Sequence, residues 1–256
     1  MSSFYFSDDF LRKNLAFKGG TALHQLYGQI KVTPIVGDGL HSIGARFSED
    51  IDLVQLKRIP IGEIMLRINK VIDFFDLDRK TRHSELGWKS LHPYRSFYFE
   101  GERRLKIEIN CRQHFNELGL AHVPFKIDNP WFSGQTILTT YDFNEIYAGK
   151  LSAFYNRSKD RDLFDLYYFR NHPMFDIDKI AQCFPQYVTY LNRKNKRTPT
   201  KKQFLRNIEL KMNDRHFEEG IYPILTKNVQ YNQGEAFDWI KEEFLFVLYD
   251  ALKKRC

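Results

Sequence analysis

The segment Arg46-Phe47-Ser48-Glu49-Asp50-Ile51-Asp52-Leu53 carries two carboxylates two positions apart. In an extended backbone, side chains alternate between faces, so Asp50 and Asp52 share one side. Two like charges that close repel, and the pair is costly unless a proton or a cation resolves it. Mg²⁺ (or Mn²⁺) does so well, because it takes one or two protein carboxylates and completes its shell with water and substrate phosphates. Glu108 stands on the polar face of the alternating run Lys106-Ile107-Glu108-Ile109, and a neighbouring strand would bring it to the same cluster. Three carboxylates can hold two metals that bracket an in-line phosphoryl displacement. The same letters also describe exposed acids at a strand start and a solvent-facing glutamate.

Two further segments suit phosphate. Phe17-Lys18-Gly19-Gly20-Thr21-Ala22-Leu23 places two glycines before a helix, and lack of Cβ lets backbone N–H groups approach an anion closely. Thr21 can cap that helix, whose N-terminus adds unpaired N–H groups and a positive dipole end. An ordinary glycine turn has the same appearance. Downstream, Lys150 and Arg157 lie about two turns apart on one helical face, with Asp162 and Asp165 one turn apart just beyond. Cations beside carboxylates suit a triphosphate whose charge grows on the leaving pyrophosphate. A salt-bridge network joining two helices satisfies the spacing equally.

The elements that must position these residues follow from periodicity. A short helix is expected over Asp8 to Asn14, then a helix with Leu23, Leu26 and Ile30 at helical spacing. Lys31 to Ala45, rich in glycine, reads as a loop or flap. Ile51 to Val54 reads as a strand and Ile61 to Phe75 as an amphipathic helix. Strands over Tyr94 to Glu100 and Leu105 to Asn110 flank a Gly101-Glu102 turn. From Tyr141 the chain is mostly helical, broken near Asn156 to Lys159 and punctuated by Pro173, Pro185, Pro199 and Pro223. The expected class is α+β: a mixed sheet flanked by helices over residues 1–140, then a helical bundle over 141–256.

Composition bounds the partners. With 256 residues, 43% hydrophobic and 28% charged, the chain can bury one large core or two modest ones. The 23 Phe and 14 Tyr read chiefly as core. No apolar run reaches the roughly 20 residues that span a bilayer, and the N-terminus lacks a signal-peptide pattern. Three scattered cysteines fit a reducing cytoplasm. The net charge of +7 favours polyanionic partners. Its basic residues concentrate between Arg193 and Arg215, as a solvated helix face or an RNA-backbone footprint.

Taken together, Phe-Lys-Gly-Gly-Thr-Ala-Leu, Arg-Phe-Ser-Glu-Asp-Ile-Asp-Leu, Lys-Ile-Glu-Ile, and Lys-Leu-x-Ala-Phe-x-x-Arg with Arg-Asp-Leu-Phe-Asp-Leu resemble the AbiEii-type nucleotidyltransferase toxins, the group that includes the MenT toxins, within the polymerase-β-like superfamily. The match spans roughly residues 15 to 170. The resemblance implies a nucleotidyltransferase fold backed by a helical bundle, an NTP donor, and for several relatives a tRNA 3′ end as acceptor. It implies that Gly20, Thr21 and Ser48 contact phosphates, that Asp50 and Asp52 hold Mg²⁺, and that Lys150 binds the triphosphate. Asp162 would act near the acceptor hydroxyl, directly or by orienting Lys150. A neighbouring antitoxin is implied, as is silencing by phosphorylation of Ser48. A small-molecule or protein acceptor, or a degenerate binding module, are the alternatives.

Overall fold

The computed structural model describes residues 8–28, 44–48, 50–73, 80–84, 87–96, 99–129, 132–192, 196–214, 217, 220–227 and 229–255. Compactness divides the chain into two units: Met1–Gly44 with Ser48–Tyr141, and Ala45–Phe47 with Asp142–Cys256.

In the first unit, the Asp8 carboxylate accepts the N–H groups of Phe10 and Leu11 at 2.8 and 3.1 Å and starts helix α1 (Asp9–Asn14). The chain passes without a loop into strand β1 (Leu15–Lys18), then helix α2 (Gly19–Leu26). Strand β2 (Asp50–Gln55) follows, then helix α3 (Ile61–Val71), which buries Ile64 and Ile68. Strands β3 (Lys80–Ser84), β4 (Gly87–Ser96), β5 (Phe99–Asn110), β6 (Leu120–Asn129) and β7 (Phe132–Tyr141) complete a mixed sheet ordered β3-β4-β5-β2-β1-β7-β6. β2 runs antiparallel to β1 and parallel to β5. Its apolar face carries Ile51 and Leu53, level with Ile107 and Ile109 of β5, and Trp88 of β4 pairs with Ile109. Period-two alternation therefore places Asp50 and Asp52 together on the other face.

Several expectations shift in place. The second helix begins at Gly19, so Thr21 lies inside its first turn rather than capping it. That helix ends at Leu26; Ile30, and residues 31–43 of the expected flap, lie outside the described residues. α3 ends at Val71, and Phe75 is likewise outside. Gly101-Glu102 is not the hairpin turn: Glu102 pairs with Arg95 and Phe99 with Ser96, so Gly101 (φ 97°) sits at a bulge within β5.

The second unit is helical: α4 (Phe143–Asn156), α5 (Asp160–Tyr168), α6 (Ile177–Leu191), α7 (Lys201–Met212), α8 (Gln233–Trp239), a π turn (Ile240–Phe244) and α9 (Leu245–Lys253). Asp142 caps α4 through the Asn144 N–H at 2.8 Å, and Thr200 with Gln203 forms a capping box on α7. Pro185 lies inside α6 rather than ending it. It cannot donate to the Ala181 carbonyl, but Ile180, Cys183, Phe184 and Val188 bury the helix face around it. The aromatic excess is core here: Phe143, Tyr147, Phe154, Phe164, Phe169, Phe184, Phe204, Phe217 and Phe244 are fully buried.

The basic stretch divides. Lys196, Arg197, Lys202 and Arg206 are exposed, whereas Lys211 is buried and donates to the Tyr155 carbonyl at 3.2 Å and to Asn207 Oδ1. Burial pushes its ammonium down to about 8, partly offset by the Asp162 charge. Unfolded lysine titrates near 10.4, so between about pH 8 and 10.4 the unfolded chain binds more protons and stability rises with pH. Below about 8 both states are protonated and the burial penalty stands in full, on the order of 3 kcal/mol. Lys211→Met should therefore be more stable than the parent at pH 7, with its advantage shrinking toward pH 9.5. Urea unfolding of both proteins at the two pH values checks this.

Candidate active site

In the first unit, β1 turns into α2 at Gly19, with φ 78°. A Cβ on Gly19 would overlap Asp52 Oδ2, so the absent side chain is what lets the second aspartate lie against the start of α2. Lys18, the residue before the helix, offers no side-chain cap, and the dipole end faces a carboxylate. Thr21 Oγ1 donates to the Asp50 carbonyl at 2.5 Å. Its single proton is then spent, so the 2.5 Å contact with Ser48 must be Ser48 donating to Thr21. Thr21 thus ties the first turn of α2 to the entrance of β2 and to Ser48. Gly19→Ala should cost about 1–2 kcal/mol of stability for the left-handed backbone. It should also lower any activity that depends on Asp52 by more than the unfolded fraction explains. Thermal melts and rate measurements on one sample separate the two effects.

The register places Lys18 and Glu108 on either side of Asp52, and Lys106 opposite Asp50. Lys106 Nζ lies 2.5 Å from Asp50 Oδ2 and 3.5 Å from Glu108 Oε1, and Lys89 Nζ is 3.1 Å from the same Glu108 oxygen. Burial alone would raise the Glu108 carboxyl; Lys89 and Lys106 outweigh it and hold the group below its ordinary value. The three acids therefore share a face, but Glu108 is engaged by lysines. Among the described residues, no three His, Cys, Asp or Glu side chains converge closely enough to hold a metal. The donor set of Asp50 and Asp52 does fit one. Both offer hard oxygens from one face, the donor type a divalent cation takes, with the Lys106 ammonium beside Asp50 in this structure.

The remaining sequence candidates belong to the second unit. Asp162 is fully buried and accepts Arg157 Nε at 2.6 Å, Arg157 Nη2 at 2.9 Å and Lys150 Nζ at 3.3 Å. Burial would raise its carboxyl, yet Lys150 and Arg157 hold it below the usual range. Lys150 also reaches Asp165 Oδ2 at 2.6 Å. Asp165, fully buried, takes the Arg46 guanidinium in bidentate fashion at 2.6 and 2.8 Å. Sequence reasoning missed Arg46. It opens the acidic motif, but its partner lies 119 positions away. A β-bridge between Arg46 and Leu225, with Thr226 N–H bonded to the Ala45 carbonyl at 3.0 Å, fixes the same segment.

A mixed sheet with paired aspartates beside a glycine-led helix, in a chain whose second half is helical, agrees with the nucleotidyltransferase fold that the sequence resemblance implies. Residues 3–243 match the family model described as the nucleotidyl transferase AbiEii toxin of type IV toxin–antitoxin systems, and the chain belongs to that family. Among solved structures it is similar to MenT4, a nucleotidyltransferase toxin from Mycobacterium tuberculosis, with TM-score 0.63 and 19% identity over 98% of this chain and 83% of that one. It is also similar to JHP933 from Helicobacter pylori, with TM-score 0.53 and 19% identity over 99% and 90% of the two chains. At these identities the likeness shows the fold. No curated protein matches it in sequence. Among the described residues, no helix is long and apolar enough to cross a membrane.

Proposed function

We propose that this toxin transfers a nucleoside monophosphate from an NTP to the 3′ end of an RNA, a tRNA above all, in a Mg²⁺-dependent reaction. The observation that carries this reading is the packing of Asp52 against Gly19, with Asp50 on the same strand face and tied through Thr21 to the start of α2. In this reading Asp50 and Asp52 hold the ion, with Glu108 beside them in register. When bound, Mg²⁺ lowers the pKa of the attacking hydroxyl and neutralises charge on the α-phosphate. The N–H groups of Gly19, Gly20 and Thr21 bind phosphate oxygens, and Ser48 orients them through Thr21. Lys150 and Arg157 bind the triphosphate, and Asp162 orients both. The proposed nucleotidyltransferase domain covers residues 1–140 and the helical one 141–256. The exposed Lys196, Arg197, Lys202 and Arg206 support an RNA acceptor, since each neutralised phosphate releases counterions. The family's type IV toxin–antitoxin character supports a cognate antitoxin as partner, and the reaction a cytoplasmic setting.

The test is incubation of purified protein with each labelled NTP, total RNA and Mg²⁺, followed by sequencing of labelled ends. Label on tRNA 3′ termini, abolished by chelation, is the expected result. Label on small molecules or protein only would overturn the RNA acceptor, and no transfer at all would overturn the reading.

A further inference from the structure

Lys211 has no part in the site described above, yet an apolar side chain at its buried position would serve folding better. Its surroundings, all within the second unit, show what the ammonium does. Helix α4 ends at Asn156, and its last turn holds no basic residue. The last carbonyls of a helix lack partners within it and form the negative end of its dipole. At the end of α4 the Ala153 carbonyl accepts the Arg157 N–H at 3.0 Å. The Tyr155 carbonyl accepts Lys211 Nζ, from 56 positions away, at 3.2 Å. Asn207, one turn earlier on α7, accepts from the same ammonium, and the Phe154 ring centre lies 5.3 Å from it. A cation delivered by α7 thus supplies the C-terminal cap that α4 does not provide for itself.

Two residues past Tyr155 stands Arg157, where the chain leaves α4 in an extended conformation, φ −141° and ψ 158°. Its Nε and Nη2 donate to Asp162 at 2.6 and 2.9 Å, while its side chain is 47% exposed. One edge of the guanidinium is therefore fixed to a buried carboxylate, and the side chain as a whole still meets solvent. Where that side chain starts is set by the path of the backbone out of α4, and Lys211 holds that path. We propose that Lys211 is a positioning residue for Arg157: its ammonium clamps the last turn of α4 and so aims the guanidinium at Asp162. The consequence for nucleotide binding rests on the reading of Arg157 as a triphosphate ligand.

The test uses Lys211→Met in the full-length protein. This variant is expected to be more stable than the parent at pH 7, so a functional loss in it does not come from unfolding. The first readout is the Arg157 Nε–H signal by NMR, assigned by its disappearance in Arg157→Gln. Its exchange with water reports the Asp162 contact and should quicken about tenfold in Lys211→Met. The second readout is calorimetric affinity for inorganic tripolyphosphate, which carries no base or sugar. It should fall about fivefold in Lys211→Met, and the same substitution should cost nothing further in Arg157→Gln. Unchanged Arg157 exchange in Lys211→Met would overturn the proposal. So would an equal loss of tripolyphosphate affinity in the Arg157→Gln background, because Lys211 would then act by its own charge. Quickened exchange with tripolyphosphate affinity unmoved in both single variants would leave the positioning role standing and take the triphosphate away from Arg157.

Discussion

Asp52→Asn, and separately Asp50→Asn, should each lower nucleotidyl transfer by about 10³-fold while leaving the fold intact. Charge stabilisation by a metal in phosphoryl transfer is worth several kcal/mol, and about 4 kcal/mol corresponds to that factor. An amide keeps the shape of the side chain but cannot supply the anionic oxygen that the ion requires. Stability should barely move. Asp50 and its partner Lys106 are both partly exposed, and a pair of that kind contributes about 0–1 kcal/mol. Lys106 also retains Glu108 at 3.5 Å after Asp50 is neutralised. Turnover measured beside a thermal melt decides the matter. A variant that melts with the parent and keeps more than a tenth of its activity would remove the substituted aspartate from the chemistry. Lys106→Ala runs the other way: it frees Asp50 from a competing cation, so the Mg²⁺ concentration giving half-maximal rate should fall.

How these aspartates came to be readable is a matter of short range. Their relation depends on the period of two within one strand, and β2 obeys it: Ile51 and Leu53 are buried while Asp50 and Asp52 are not. Gly19 was readable for a similar reason, since glycine before a helix marks close approach, although the group approached proved to be Asp52 itself. What could not be read depends on pairing across the chain. Nothing local shows that Lys106 and Lys89 would engage Asp50 and Glu108, because that follows from the β2–β5 and β4–β5 registers. Lys211 looked like one more cation of a basic stretch. Its burial depends on which face of α7 meets Phe154 and Tyr155 of α4. Thr21 illustrates a middle case. Its residue type suits a helix N-terminus, but the hydroxyl serves Asp50 and Ser48 instead of the helix N–H groups. Gly101 likewise reads as a turn residue, and the positive φ it supplies is used by a bulge.

The largest stability effect should come from a residue outside the proposed metal site. Asp165→Leu leaves Arg46 and Lys150 buried without the carboxylate that neutralises both, and removing one partner of a buried pair costs about 3–5 kcal/mol. Lys150 keeps Asp162 at 3.3 Å, but Arg46 loses both of its short contacts. Adding Arg46→Met to Asp165→Leu should therefore restore much of the loss, because an apolar pair of similar size removes the stranded charge. A coupling energy above about 2 kcal/mol in the double-mutant cycle is expected from urea unfolding. The exposed pair Arg12–Asp9, treated in the same way, should show well under 1 kcal/mol. Acid should reproduce part of the effect through Asp162. Its folded carboxyl lies below the unfolded value near 3.9, so its contribution is complete above that pH and disappears as the pH falls through the folded value. If the Asp165→Leu single variant unfolds in urea as the parent does, the network is ornamental, and Lys150 and Arg157 are left to be explained by ligand binding alone.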